Sequence, residues 1–354
     1  MPSVRAIASR SKVSPATVSR VLNNHPDVDE ATRERVLACI NELGYVPRIG
    51  RRITNVVALA YPDEPVRSEY GAFEPALLSG IMRGLEEHGF DLKLLNIGRD
   101  KSPTETFTQF FLRKGIRGVI MRCFRTNRPM ISSIAEEGFP SVVVAEEFDE
   151  PKVNFIRCDS YPSSRRAVEH LIGLGHRRIG LAIHNVADTD HAARRRAYED
   201  ALAAAGIPGD PNLVMEIVAG ISSGEQALDS LLALEDPATA IFATNPMTAI
   251  GIMRRAQERG IVVPRELSVV GVDDSDVRMH VWPRLTAVIQ DASALGLEAS
   301  LWLSRTLARG DGRTTCRRTV ATTFEVNGTT AVPRTQAPAA STPARQRNSV
   351  GRRS

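Results

Sequence analysis

The residues with the most specific chemistry lie near the start of the chain, in SVRAIASRSKVSPATVSRVLNN (3–24). Pro15, Ala16, Thr17, Ser19 and Arg20 alternate with Val18, Val21 and Leu22, so on a helix they occupy the side opposite an apolar stripe. Ala16 and Arg20 are four residues apart and share a face. A guanidinium so placed can donate to guanine O6 and N7 together, while Ala and Pro can meet a thymine methyl. Ser14, Thr17, Ser19 and Asn23, with Ser3 upstream, are short donors suited to phosphate oxygens, which fix register and not sequence. The plainer alternative is a small helical cap whose arginines are merely solvated.

Such side chains need rigid elements to present them. Val4, Ile7 and Ala8 give a first helix one apolar face, SKVS makes a tight turn, and Ser14 with Pro15 supplies an N-cap and a favoured first helical residue. A third helix, ATRERVLACINELG (31–44), is capped by Asp29 and turns Val36, Ile40 and Leu43 inward. Three short helices with this turn make an all-α helix-turn-helix head over residues 1–46, whose second helix enters the major groove.

Charge distribution agrees. The 354-residue chain has 45 Lys and Arg against 41 Asp and Glu, a formal net of only +4. Residues 1–52 carry +4, residues 333–354 carry +5 with no acid, and the stretch between them carries −5. A basic N-terminal segment on a mildly acidic body points to a polyanionic partner. The tail from Pro333 is Pro, Ala, Thr, Ser and Arg, with little to bury, and is expected to be disordered.

The body, residues 55–332, alternates apolar runs with amphipathic stretches. Expected strands include 55–61, 91–98, 118–123, 141–146, 178–184, 239–245 and 267–274; expected helices include 76–88, 104–114, 163–174, 191–205, 224–234 and 246–259. Near-continuous Val, Ile and Leu runs between helices are what a doubly wound parallel sheet requires. The body is too long for one such sheet, so two lobes are expected, with ligands at the carboxyl ends of the strands. One lobe spans about 55–158 plus 290–318 and the other about 159–289 plus 319–332, with LTAVIQD (285–291) and RTVATTFEV (318–326) as further crossings.

Several function classes fall away. Cys39, Cys123, Cys158 and Cys316 are far apart, which argues for buried free thiols in a reducing compartment rather than a disulfide or zinc framework. No signal-peptide run and no 18-residue apolar stretch occurs, so a cytoplasmic location and no membrane partner are expected. No phosphate-loop, G-x-S-x-G or H-E-x-x-H pattern is present, and the glycines of GLGHRRIG end a helix and enter a strand, opposite to a phosphate loop. No catalysis, cofactor or metal is expected. A transport solute-binding protein shares such a body, but not the head. His176 within GLGHRRIG suits a structural turn bond.

VSPATVSRVLNN, followed by DEATRERV and LGYVP, resembles the DNA-binding head of the lactose repressor family. The resemblance continues through VEHLIGLGHRRIGLA (168–182), RRRAYEDALAAAGI (194–207), TAIFATN (239–245), VPRELSVVGVDDSD (263–276) and PRLTAVIQD (283–291), and covers residues 3–332. It implies a periplasmic-binding-protein-like body, a homodimer, a palindromic double-stranded DNA operator, and a small-molecule effector, a sugar or polyol, that controls a repressor. By match to the family's motifs, Arg194, Asn245, Asp273 and Gln290 hold effector-contact positions; a guanidinium, two amides and a carboxylate can grip vicinal hydroxyls. Each also has a structural reading: a solvated arginine run, loop caps, a tie between crossover segments. Asp188 and Asp190 fall in a loop that contacts ligand in some members, and would disfavour an anionic one. Phe73 and Trp282 are candidates to stack on a sugar face, or to pack in a core or an interface.

Three departures from the family stand out. Pro246 replaces the usual Asp after Asn245, the segment between Asp63 and Leu77 is longer than usual, and the linker PRIGRRIT (47–54) is short. In the family that linker forms a hinge helix with a leucine wedge in the minor groove. Here Gly50 interrupts it and Ile49 and Ile53 are the only apolar residues, so Arg48, Arg51 and Arg52 are expected to contact phosphate or minor groove as an extended arm, or to form a flexible basic linker.

Overall fold

In the computed structural model, residues 3–22, 27–43, 54–62, 72–309 and 315–334 are described. The head begins with α1 (Val4–Ser11), where the Ser3 hydroxyl accepts the Ala6 N–H at 3.2 Å. It turns through Lys12, at a φ of 55°, into α2 (Pro15–Leu22). There the Ser14 hydroxyl accepts the Thr17 N–H at 3.0 Å, satisfying one of the donors that a helix start leaves free. α3 (Glu30–Glu42) is capped by Asp29, which accepts the Thr32 N–H at 2.9 Å; that bond holds the Asp29 carboxyl below its usual range. Ile7, Ala8, Val18, Val21, Val36 and Ile40 are buried together, with Leu43 packed against them.

In the body the strands are β1 (Val56–Tyr61), β2 (Asp91–Asn96), β3 (Gly118–Arg122), β4 (Ser141–Val144), β5 (Phe155–Asp159), β6 (Ile179–His184), β7 (Val214–Ile217), β8 (Ala240–Ala243), β9 (Ser268–Asp273), β10 (Thr286–Ile289), β11 (Arg317–Ala321) and β12 (Thr323–Glu325). Between them run α4 (Phe73–Glu86), α5 (Ile97–Asp100), α6 (Phe107–Arg113), α7 (Arg128–Glu136), α8 (Tyr161–Gly173), α9 (Thr189–Ala204), α10 (Ile221–Leu232), α11 (Pro246–Glu258) and α12 (Ala292–Arg309). They form two six-stranded sheets, ordered β11-β5-β4-β3-β1-β2 and β12-β10-β9-β8-β6-β7. All pairings are parallel except β10 with β12. Every residue of β3, β4, β8 and β9 is buried, because each sheet carries helices on both faces. This is the two-lobed α/β body expected above.

The chain passes between lobes three times, at Ser160, at Gln290–Asp291 and at Thr322. The RTVATTFEV run is thus two strands in two sheets: Arg317–Ala321 pair with β5, so residues 319–321 lie in the first lobe's sheet, not the second's. The crossings are tied to one another. Thr322 Oγ1 donates to the Asp159 carbonyl at 2.9 Å, and Ser163 Oγ donates to the Thr322 carbonyl at 2.8 Å.

Close helix contact fixes the first lobe's face of the cleft. α12 presses against α4 through Gly80, Gly84 and Gly296; a Cβ on Gly296 would lie 2.2 Å from the Leu77 carbonyl oxygen. That contact holds the N-terminus of α4, with Phe73 and Glu74, over the strand ends. His176 is structural: buried, its Nδ1 pairs with Thr239 Oγ1 at 2.9 Å and its Nε2 with Ser268 Oγ at 3.0 Å. The four cysteines are free and buried. Among the described residues no helix is long and apolar enough to cross a membrane.

Candidate functional sites: a reading helix and an interlobe cleft

On α2, burial of Val18 and Val21 leaves Pro15, Ala16, Ser19 and Arg20 exposed on the other side. Thr17 is half-buried, its hydroxyl 2.9 Å from that of Ser14. Ser3 and Ser14 are exposed and each hydroxyl accepts a helix N–H; the Ser3 proton is left to donate to a phosphate, while the Ser14 hydroxyl is also paired with that of Thr17. The face is held firmly: Arg10 of α1 bonds Glu42 of α3 at 2.9 Å, and the Arg35 Nε donates to the Ser11 carbonyl at 3.0 Å. Asn23, Arg48, Arg51 and Arg52 lie outside the described residues, as do most of the linker and the tail beyond Arg334.

The second site is a cavity of about 680 Å³ between the lobes, at the carboxyl ends of the strands. Its second-lobe floor includes Arg194, Asn245, Gln290, Asp188 and Asp190. Arg194, on α9, is buried; its guanidinium donates to Gln290 Oε1 at 2.5 Å and to the Thr244 carbonyl at 3.0 Å. Gln290 in turn donates to Asp190 Oδ2 at 3.2 Å, and Asp190 accepts the Ser160 hydroxyl at 3.1 Å. Gln290 and Ser160 are crossing residues, so this network joins the floor to the hinge between the lobes. Asn245 caps α11, accepting the Met247 N–H at 2.9 Å, with Pro246 as the first helical residue.

Asp273 does not reach the cavity. Its side chain is fully buried and its carboxylate accepts the Val277 and Arg278 N–H groups and the Arg278 guanidinium, each at 3.0–3.1 Å, which closes the turn after β9. The next residue, Asp274, lines the cavity instead. Asp274 is 8% exposed, and no hydrogen bond or ion pair joins it to another described residue. Burial pushes its carboxyl up to about 7 against the pull of Arg194, with Asp273 and Asp190 adding to the rise. Burial likewise raises Asp190. Asp188 behaves oppositely. Burial would raise it, but the ring and backbone N–H of His191, at 2.9 and 2.7 Å, outweigh that and hold it at about 2.

The first-lobe wall contains residues that sequence patterns did not single out. Glu74, on the first turn of α4, accepts the Arg122 Nε at 2.8 Å and the Tyr61 hydroxyl at 2.8 Å. Arg122 also donates to the Val144 carbonyl at 2.9 Å and lies 4.6 Å from the centroid of the Phe73 ring. Phe73 thus lines the cavity, backed by a fixed cation. Trp282 does not: it is 89% exposed and lines a separate groove with Ile250, Met253, Val262 and Val281. At one margin the lobes touch directly. Glu146, fully buried, accepts the Thr189 N–H at 3.2 Å and the Thr189 hydroxyl, and the Arg125 N–H donates to the Ala187 carbonyl at 3.0 Å.

Comparison with known proteins joins the two sites. Residues 3–48 match the model of bacterial regulatory proteins of the lacI family, and residues 168–330 match a periplasmic binding protein-like domain. The chain is 31% identical over 313 residues to the HTH-type transcriptional repressor CytR of Escherichia coli K12, covering 85% of this chain and 88% of the relative. It is 30% identical over 304 residues to the HTH-type transcriptional regulator CelR of Thermobifida fusca, covering 84% and 89%. A solved CelR–cellobiose complex superposes with a TM-score of 0.67 at 30% identity, over 93% of this chain and all of that one. With a reading helix and an interlobe cleft in one polypeptide, and with relatives matched along nearly their whole length, the chain belongs to the lacI family of bacterial regulatory proteins and is a DNA-binding transcriptional regulator.

Proposed function

We propose that the protein is a cytoplasmic repressor that binds a palindromic operator as a homodimer and changes its operator affinity when a neutral hydroxylated ligand, a sugar or polyol, enters the interlobe cavity. The observation that carries this reading is the hydrogen-bonded chain from Arg194 through Gln290 to Asp190 and Ser160. It links cavity-lining polar groups to residues at the lobe crossings, which supports a route by which a ligand that favours one lobe arrangement changes the spacing of two heads. The CelR relative has been solved with cellobiose, which supports a carbohydrate ligand here. The exposed Trp282 beside an apolar groove supports a dimer contact on the second lobe.

Selection from randomised duplex DNA tests the DNA half of this reading. The full-length protein is expected to return an inverted repeat, because two heads related by a two-fold axis read two half-sites. Arg20→Ala is expected to lose discrimination at one base pair of each half-site by about 1–3 kcal/mol. A single unrepeated site would contradict the dimer, and an unchanged consensus for Arg20→Ala would contradict the role given to Arg20.

A further inference from the structure

The cavity is chemically divided. Its floor is polar and charged, whereas the described residues at its outer edge are apolar. Leu94, on the edge strand β2 of the first lobe, is 58% exposed, and Val218, just after the edge strand β7 of the second, is 54% exposed. Both line the same cavity, with Leu78, Phe124 and Val186 also on its wall. Large apolar side chains exposed across a cleft leave surface that a ligand can cover favourably. The volume of about 680 Å³ suits a drug-sized molecule and exceeds what a single sugar ring would fill.

The floor constrains the other end of the ligand. Glu74, Arg122 and Gln290 already bond one another, Arg194 or the backbone, and Arg194 leaves only a buried Nε without a hydrogen-bond partner, whereas the Asp274 carboxylate is more than nine-tenths buried, faces the cavity and has no hydrogen-bond partner among the described residues. A buried acceptor of this kind calls for a donor from the ligand. Its neighbours Asp188 and Asp190 oppose any anionic group there.

We infer that the effector is a two-part molecule: an uncharged hydroxylated ring that donates to Asp274, joined to an apolar or aromatic group that covers Leu94 and Val218 between the edge strands. This deepens the effector reading above and rests on it. The sugar ring is the recognition element, and the apolar group adds affinity.

Calorimetric titration of the full-length protein with matched methyl and phenyl glycosides of glucose, galactose and xylose, with their free and 6-phosphorylated sugars as controls, tests it. For any sugar that binds, the phenyl glycoside is expected to bind about tenfold or more tightly than the methyl one, since the ring adds buried apolar area. The double variant Leu94→Ser, Val218→Ser is expected to lose that advantage, so that the phenyl and methyl members of a pair bind with similar affinity. Asp274→Asn is expected to weaken both members of a pair alike. Equal affinities within a pair, an advantage that survives the double variant, or binding of phosphorylated sugars alone would overturn the inference and leave effector control standing. Binding of nothing in the panel counts against both.

Discussion

At Asp274 burial, the largest effect, opposes ionisation, Arg194 favours it less strongly, and the carboxylates of Asp273 and Asp190 add to the rise, so the group titrates at about 7. Its folded pKa lies above the ordinary 3.8, and the folded chain holds a proton that the unfolded chain has released. Stability from this group therefore falls as pH rises from about 4 to about 7. Asp274→Asn removes that dependence. The variant, free of ligand, is expected to gain Tm over the parent at pH 8 and to gain little near pH 4. The gain at pH 8 is equivalent to a few kcal/mol, because a tenfold change in proton affinity is worth about 1.4 kcal/mol. A Tm difference independent of pH would contradict the assignment. Asp274 also shows where residue patterns run out. Two adjacent acids at a strand end point to opposite sides, and only the turn, with the Arg278 side chain and three backbone N–H groups converging on Asp273, decides which faces the cleft. The Glu74–Arg122 pair leaves no trace in sequence patterns for another reason: its members are 48 residues apart and meet only when α4 packs over β3. Arg194, Asn245 and Gln290 could be singled out because they stand at effector-contact positions of motifs that resemble the family's, and all three line the cavity.

Elements were more legible than contacts. Long Val, Ile and Leu runs marked β1, β3, β4, β6, β8 and β9, and Ser14–Pro15 marked the start of α2, since burial on both faces and capping leave direct traces in composition. Four elements left weaker traces. β7 is a four-residue strand with no fully buried residue, α12 is rich in small residues, and β11 and β12 read as one run though Thr322 sends them to different sheets. The small residues of α12 have a reason, because Gly296 sits where the Leu77 carbonyl leaves no room for a Cβ. Gly296→Ala is expected to force α12 and α4 apart and to destabilise the first lobe by about 1–3 kcal/mol, the usual range for overpacking. Urea unfolding followed by circular dichroism would show it as a lowered midpoint. An unchanged midpoint would mean that the helices slide freely, and that Phe73 and Glu74 are held by something else.

At the scale of the whole molecule, near-neutral charge conceals a basic reading head on an acidic ligand-binding body. The body is hinged at three crossings, two tied through Thr322 and Ser163 and the third through Ser160 to Gln290, which is at once in the hinge and in the cleft floor. Glu146 and Thr189 bridge the lobes without any ligand, so the ligand acts on an arrangement that already has contacts of its own. The most direct test of this account is fluorescence anisotropy of labelled operator, titrated with protein in the presence and absence of a saturating cleft ligand. Operator affinity is expected to change by about 5- to 150-fold, ligand affinity by the same factor when operator is bound, and Arg194→Ala to abolish the change while leaving ligand-free operator binding intact. A ligand that binds with the same affinity whether or not operator is present would contradict it.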